Sequence, residues 1–141
     1  MVIVDANVLL YAVNEDAAHH DDARTWLDSS LGGSSGVGLP WVVLLAFLRI
    51  VTSPRIIPSP LTIDVAITQV TSWLESPAAV AIAPTSRHLG VLAGLLRDVS
   101  TGGNLVNDAH LAALAVEHDA TIVSFDRDFA RFDGVRHRLP G

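Results

Sequence analysis

Residues 1–12 read MVIVDANVLLYA, a run of valine and isoleucine halted by Asp5 and Asn7 before the apolar residues resume. The run, VIVD, has the β-branched content of a buried strand. A carboxylate left unpaired at its end would cost on the order of several kcal/mol. Asp5 is therefore hydrogen-bonded, neutralised or holding a cation. The rest of the chain repeats the alternation of strand and helix. DDARTWLDSSL (residues 21–31) places Ala23, Trp26, Leu27 and Leu31 at helical spacing. GVGLP (36–40) reads as a short strand or extended entry, and WVVLLAFLRIVT (41–52) as a buried helix stopped by Ser53-Pro54. After a loop with Pro54, Pro58 and Pro60, TIDVAITQVTSWLES (62–76) is amphipathic, grouping Val65, Ile67, Val70, Trp73 and Leu74 on one side. AVAIA (79–83) is a strand, TSRHLGVLAGLLRDV (85–99) a helix starting at a Ser/Thr cap, and STGGN (100–104) a loop. NDAHLAALAVEH (107–118) is a helix with Asn107 as its cap, and TIVSF (121–125) a strand. With no linker and no repeat, residues 1–141 form one α/β domain around a parallel sheet.

Composition narrows the function. With 141 residues, half of them apolar, the chain can bury a real core and is too apolar for disorder. Trp41, Phe47 and Trp73 are read as core. The greasiest stretch, VGLPWVVLLAFLRIV (37–51), is broken by Pro40 and Arg49 and falls short of the roughly 18 residues a membrane helix needs. No signal segment is visible and there is no cysteine, so a cytoplasmic protein with no membrane span is expected. A net charge of −6 argues against a general electrostatic binder of nucleic acid. All nine basic residues are arginine, and Arg127, Arg131, Arg136 and Arg138 fall in the last fifteen positions. Lacking lysine, the glycine-rich LGGSSGVG (31–38) is no P-loop. DxD-type phosphatases and response-regulator receivers lose the lysine they rely on as well.

The acids carry the chemistry. Asp5 follows the first strand, Asp126 and Asp128 follow the last, and ligand sites in open parallel sheets gather beyond the carboxyl ends of strands. Asp108 opens a helix that is otherwise almost wholly apolar. Singly, each has a plain alternative: Asp108 complements a helix dipole, and Asp126 and Asp128 fit turns and caps. Together, converging carboxylates repel one another unless a cation sits among them. An oxygen-only set with an Asn amide suits Mg²⁺ or Mn²⁺, and such an ion leads to hydrolysis of a phosphodiester. The histidines at 19, 20, 88, 110, 118 and 137 show no tight ligand motif and read as surface or turn residues.

VIVDANVLLYA (2–12), LPWVVLLAFLRIVTSPR (39–55) and NDAHLAALAVEHDATIVSFDRDFARF (107–132) together resemble a PIN domain of the VapC toxin type across essentially the whole chain. The resemblance implies a three-layer α/β/α fold around a parallel sheet of four or five strands. It implies a Mg²⁺- or Mn²⁺-dependent endoribonuclease, usually a homodimer, restrained by a VapB-like antitoxin. By position, Asp5, Asp108 and Asp126 would be catalytic and bind the metal, with Asp128 assisting. Asn7, Arg49 and Ser124 would face the RNA substrate. The family's usual glutamate on the second helix is replaced by Ala46, and none of the three glutamates, Glu15, Glu75 and Glu117, lies in that helix. Glu15 or Asp16 is the candidate substitute. A catalytically weak module that binds RNA or protein is the alternative.

Overall fold

The computed structural model describes residues 1–100, 103 and 105–141. Five strands, β1 (Val2–Val4), β2 (Val37–Gly38), β3 (Ala79–Val80), β4 (Thr121–Val123) and β5 (His137–Arg138), form one sheet in the order β3, β2, β1, β4, β5. Every pairing is parallel. Among the described residues six helices connect them: α1 (Ala6–Val13), α2 (His20–Leu31), α3 (Trp41–Val51), α4 (Ile63–Leu74), α5 (His88–Val99) and α6 (Leu105–Glu117). A 3₁₀ turn, Arg127–Arg131, precedes β5.

Successive strand residues point to opposite faces, yet Ile3, Val4, Ile122 and Val123 are all fully buried. Both faces of the central pair are thus covered, the α/β/α layering expected of an all-parallel sheet. α1 packs on α2 and α3, α3 on α4, and α5 on α6. At β2 the covering is tight enough to demand glycine. A Cβ on Gly38 would stand 2.6 Å from Ile82 Cγ1 and 3.1 Å from Ile3 Cγ1. Edge strand β5 is exposed and charged, which discourages pairing with another chain.

Several expectations change in three dimensions. MVIVDANVLLYA turns directly into a helix, because Asp5 accepts the Ala6 N–H at 2.7 Å and caps α1. α4 buries Ala66, Val70 and Trp73, whereas Val65, Ile67 and Leu74 are exposed. Its inward stripe keeps to positions three or four residues apart, and a small alanine lets α4 approach closely. Phe47 and Trp73 meet edge to face in the core, but Trp41, at the first turn of α3, is 59% exposed. The helix expected at a Ser/Thr cap begins later, after Arg87, which supplies no side-chain cap; Thr85 Oγ1 instead accepts the Arg87 N–H. Asn107 lies inside α6, which starts at Leu105. Of the STGGN loop, Thr101, Gly102 and Asn104 lie outside the described residues; Ser100 ends α5 in the left-handed conformation. Strands expected over 79–83 and 121–125 are shorter, ending at Val80 and Val123. No helix among the described residues is long and apolar enough to cross a membrane.

Candidate functional site

The β1–β4 pairing continues one step beyond its last ladder residues: the Asp5 N–H donates to the Val123 carbonyl at 3.0 Å. This brings Asp5 beside Ser124, the one polar residue among those described that is buried with its backbone and side chain taken together. Ser124 Oγ donates to Asp5 Oδ2 at 2.7 Å and accepts from Asn7 Nδ2 at 3.0 Å and the Asp126 N–H at 2.9 Å. Asn7 Nδ2 also reaches Asp5 Oδ2 at 3.3 Å, while Asn7 Oδ1 accepts the Phe125 N–H at 3.1 Å. Asp126 in turn caps the 3₁₀ turn by accepting the Asp128 N–H at 2.8 Å. One serine hydroxyl therefore ties the segment after β1 to the segment after β4.

Asp108, in the first turn of α6, completes the acidic group. Its carboxyl is pushed up to about 6, first by burial and then by repulsion from Asp5, Asp126 and Asp128, with Arg131 opposing. Burial also raises Asp5, against the hydrogen bonds from Ser124 and Ala6, and Asp126 adds repulsion. Arg131 leans on Asp128 at 3.7 Å and is the one cation that acts on Asp108. Arg49 is brought to none of these acids; it is exposed in the last turn of α3 and makes no ion pair or side-chain hydrogen bond among the described residues. Glu15 and Asp16 follow the far end of α1, about 12 Å along the helix from Asp5, and are exposed. α1 thus separates them from Asp5, and Ala46, at the position of the missing acid, is half-buried.

The donor set is oxygen-rich, mutually repulsive and short of counter-charge, which fits a hard divalent cation. The side chains are not preassembled as a cage: among the described residues no three His, Asp or Glu groups stand ready to hold an ion. Both Asp5 oxygens and Asp126 Oδ1 are already engaged in hydrogen bonds.

Two constellations escape the sequence. Glu117, whose side chain is fully buried, accepts from Thr85 and pairs with His88 Nδ1, and His88 Nε2 meets His110 Nδ1 at 2.9 Å. This chain clasps α5 to α6. Beside the acids, His19 stacks on Phe125, with Tyr11 tilted against both. Only the position of Phe125 between Ser124 and Asp126 hinted at the second, and nothing in the sequence at the first.

The chain matches the PIN domain family over residues 2–135. It is 58% identical over 140 residues to ribonuclease VapC37 of Mycobacterium tuberculosis, covering 99% of this chain and 97% of that protein. It is 41% identical over 140 residues to ribonuclease VapC33 of the same species, covering 99% and 98%. Among solved structures, the VapBC2 complex of Rickettsia felis contains a chain that superposes with a TM-score of 0.73 at 18% identity, over 99% and 98% of the two chains. VapC20 of Mycobacterium tuberculosis, described as a toxin cleaving the sarcin-ricin loop, gives 0.68 at 19% identity, over 96% and 99%. Matched along nearly its whole length in sequence, the chain belongs to the PIN domain family and, within it, to the VapC ribonucleases.

Proposed function

We propose that this chain is a Mg²⁺-dependent endoribonuclease, with Mn²⁺ able to substitute, that acts in the cytoplasm as the toxin of a toxin-antitoxin pair. One observation carries the reading. Acids from three separate segments, Asp5, Asp108 and Asp126, share one electrostatic neighbourhood in which Arg131 is the opposing charge on Asp108. Asp5, Asp108 and Asp126 would hold the ion with Asp128 beside them, and the ion would supply a polarising charge on a phosphoryl oxygen and a water of lowered pKa. Ser124 and Asn7 orient Asp5, so its carboxylate is presented in a fixed direction. Without a cation, the same acids repel an RNA phosphate. Names of the relatives support RNA as substrate.

The solved VapBC complexes support a VapB-like antitoxin as partner. Exposed Trp41 and Leu45 on α3 and Ile63 and Ile67 on α4 supply apolar area for such a partner or for a homodimer. Light scattering of the purified chain, alone and with a candidate VapB-like antitoxin, separates these associations.

The chemistry is tested by incubating total bacterial RNA with the chain in Mg²⁺, Mn²⁺ or chelator, beside Asp5→Asn and Asp126→Asn. Cleavage in either metal, lost in chelator and in both variants, is expected. Chelator-resistant cleavage, or variants as active as the parent, refutes the metal site. RNA binding without cleavage by the parent would favour a non-catalytic module, with Ala46 marking the missing acid.

A further inference from the structure

Affinity for RNA cannot rest on bulk electrostatics in a chain of net charge −6 whose candidate site is itself acidic. Other contacts must hold the substrate. Next to the acids stands a group of three rings from separate parts of the chain. His19 and Phe125 are stacked, with ring centroids 4.6 Å apart and planes 18° from parallel. Tyr11 is tilted against both rings, 5.3 Å from Phe125 at 53° and 6.0 Å from His19 at 38°. Phe125 and Tyr11 are half-buried, and His19 is exposed.

The group is anchored to the acidic site. Phe125 lies between Ser124 and Asp126 in the chain, and its N–H is held by Asn7, the same amide that bonds Asp5 and Ser124. His20 Nδ1 bonds the Tyr11 carbonyl at 2.8 Å, pinning the start of α2, and so His19, against α1. A histidine ring whose inner face is stacked on Phe125 has its outer face left for a planar ligand. Single-stranded RNA is recognised by stacking unpaired bases on aromatic rings, histidine among them. Such stacking needs no positive charge.

We propose that the outer face of the His19–Phe125 stack is a docking platform for an unpaired RNA base flanking the phosphodiester presented to Asp5, Asp108 and Asp126. The proposal rests on the ribonuclease reading above and adds the subsite that positions the substrate. It separates two tasks that the acids cannot combine: they act at phosphate, and the rings hold a base.

The test starts from the parent in Mg²⁺ with total bacterial RNA, the new ends mapped by sequencing. A synthetic oligonucleotide spanning a mapped site, and versions with one abasic ribose at each flanking position, are then cleaved by the parent, His19→Ala and His19→Trp. His19→Ala is expected to raise KM about tenfold with kcat within about twofold of the parent, and His19→Trp to restore KM. One abasic position should raise the parent's KM by a similar factor and add nothing to that of His19→Ala. The melting temperature of His19→Ala should stay within about 2 °C of the parent, because an exposed side chain is being trimmed. Unchanged KM in His19→Ala, or an abasic penalty that persists undiminished in it, overturns the platform while leaving the ribonuclease reading intact. A parent that cuts no RNA overturns both.

Discussion

Replacing Ser124 by alanine removes one oxygen and three hydrogen bonds from the floor of the site. The bond donated to Asp5 is charge-assisted at 2.7 Å and contributes about 1.5–3 kcal/mol. The other two are less costly to lose. Asn7 Nδ2 keeps its longer bond to Asp5, and the Asp126 N–H sits in a half-buried residue where water can replace the hydroxyl. Together the losses come to about 3 kcal/mol. For 141 residues the unfolding entropy near the midpoint is about 0.3 kcal/mol/K, so the melting temperature should fall by about 10 °C. Denaturant titration and thermal melts at pH 7.5 in chelator measure both quantities. The loss should shrink in acid, because a protonated Asp5 no longer needs a donor. It should also shrink in an Asp5→Asn background, since the strong part of the interaction depends on the carboxylate charge. A destabilisation below about 0.5 kcal/mol at pH 7.5, or one equal in the Asp5→Asn background, would refute the role assigned to this hydroxyl.

Asp108 holds its proton to a higher pH when folded, near 6, than when unfolded, near 3.8, so its ionisation costs stability: nothing below about pH 4, the full amount above about pH 6. Asp108→Asn should therefore stabilise the chelated chain above pH 6 by about 1 kcal/mol, after the discount for a half-open position, and change little at pH 4; melts across pH check the sign. Glu117 behaves oppositely: burial alone would raise its carboxyl, but the bonds from Thr85 and His88 hold it below the usual range. Glu117→Gln should cost about 1–2 kcal/mol at pH 7, a loss that fades as pH falls through the carboxylate range and the parent loses the same charge. Its signature in hydrogen exchange is weakened protection in α5 and the end of α6. Gly38→Ala forces a methyl against Ile82 and Ile3 and should destabilise by about 1–3 kcal/mol, read from the denaturation midpoint at unchanged slope.

Period and punctuation were enough to read the alternation of strands and helices, and hence a parallel sheet with Asp5 and Asp126 beyond its strand ends. Those are local properties: apolar spacing, proline stops and the position of an acid after a buried run act within a few residues of chain. The same locality explains the misses. Which side of α4 faces inward, and that Trp41 stays at the surface, depends on what each helix packs against. The bond from Ser124 to Asp5 spans 119 positions, and it exists because the β1–β4 register sets the two side by side. The Glu117–His88–His110 clasp and the His19–Phe125 stack likewise join residues from different elements. Hydrogen bonds and ring contacts act over a few ångströms of space regardless of separation along the chain. Acid identity and strand-end placement could therefore be read in one dimension, whereas partners, exposure and shared charge appeared only once the backbone had closed on itself.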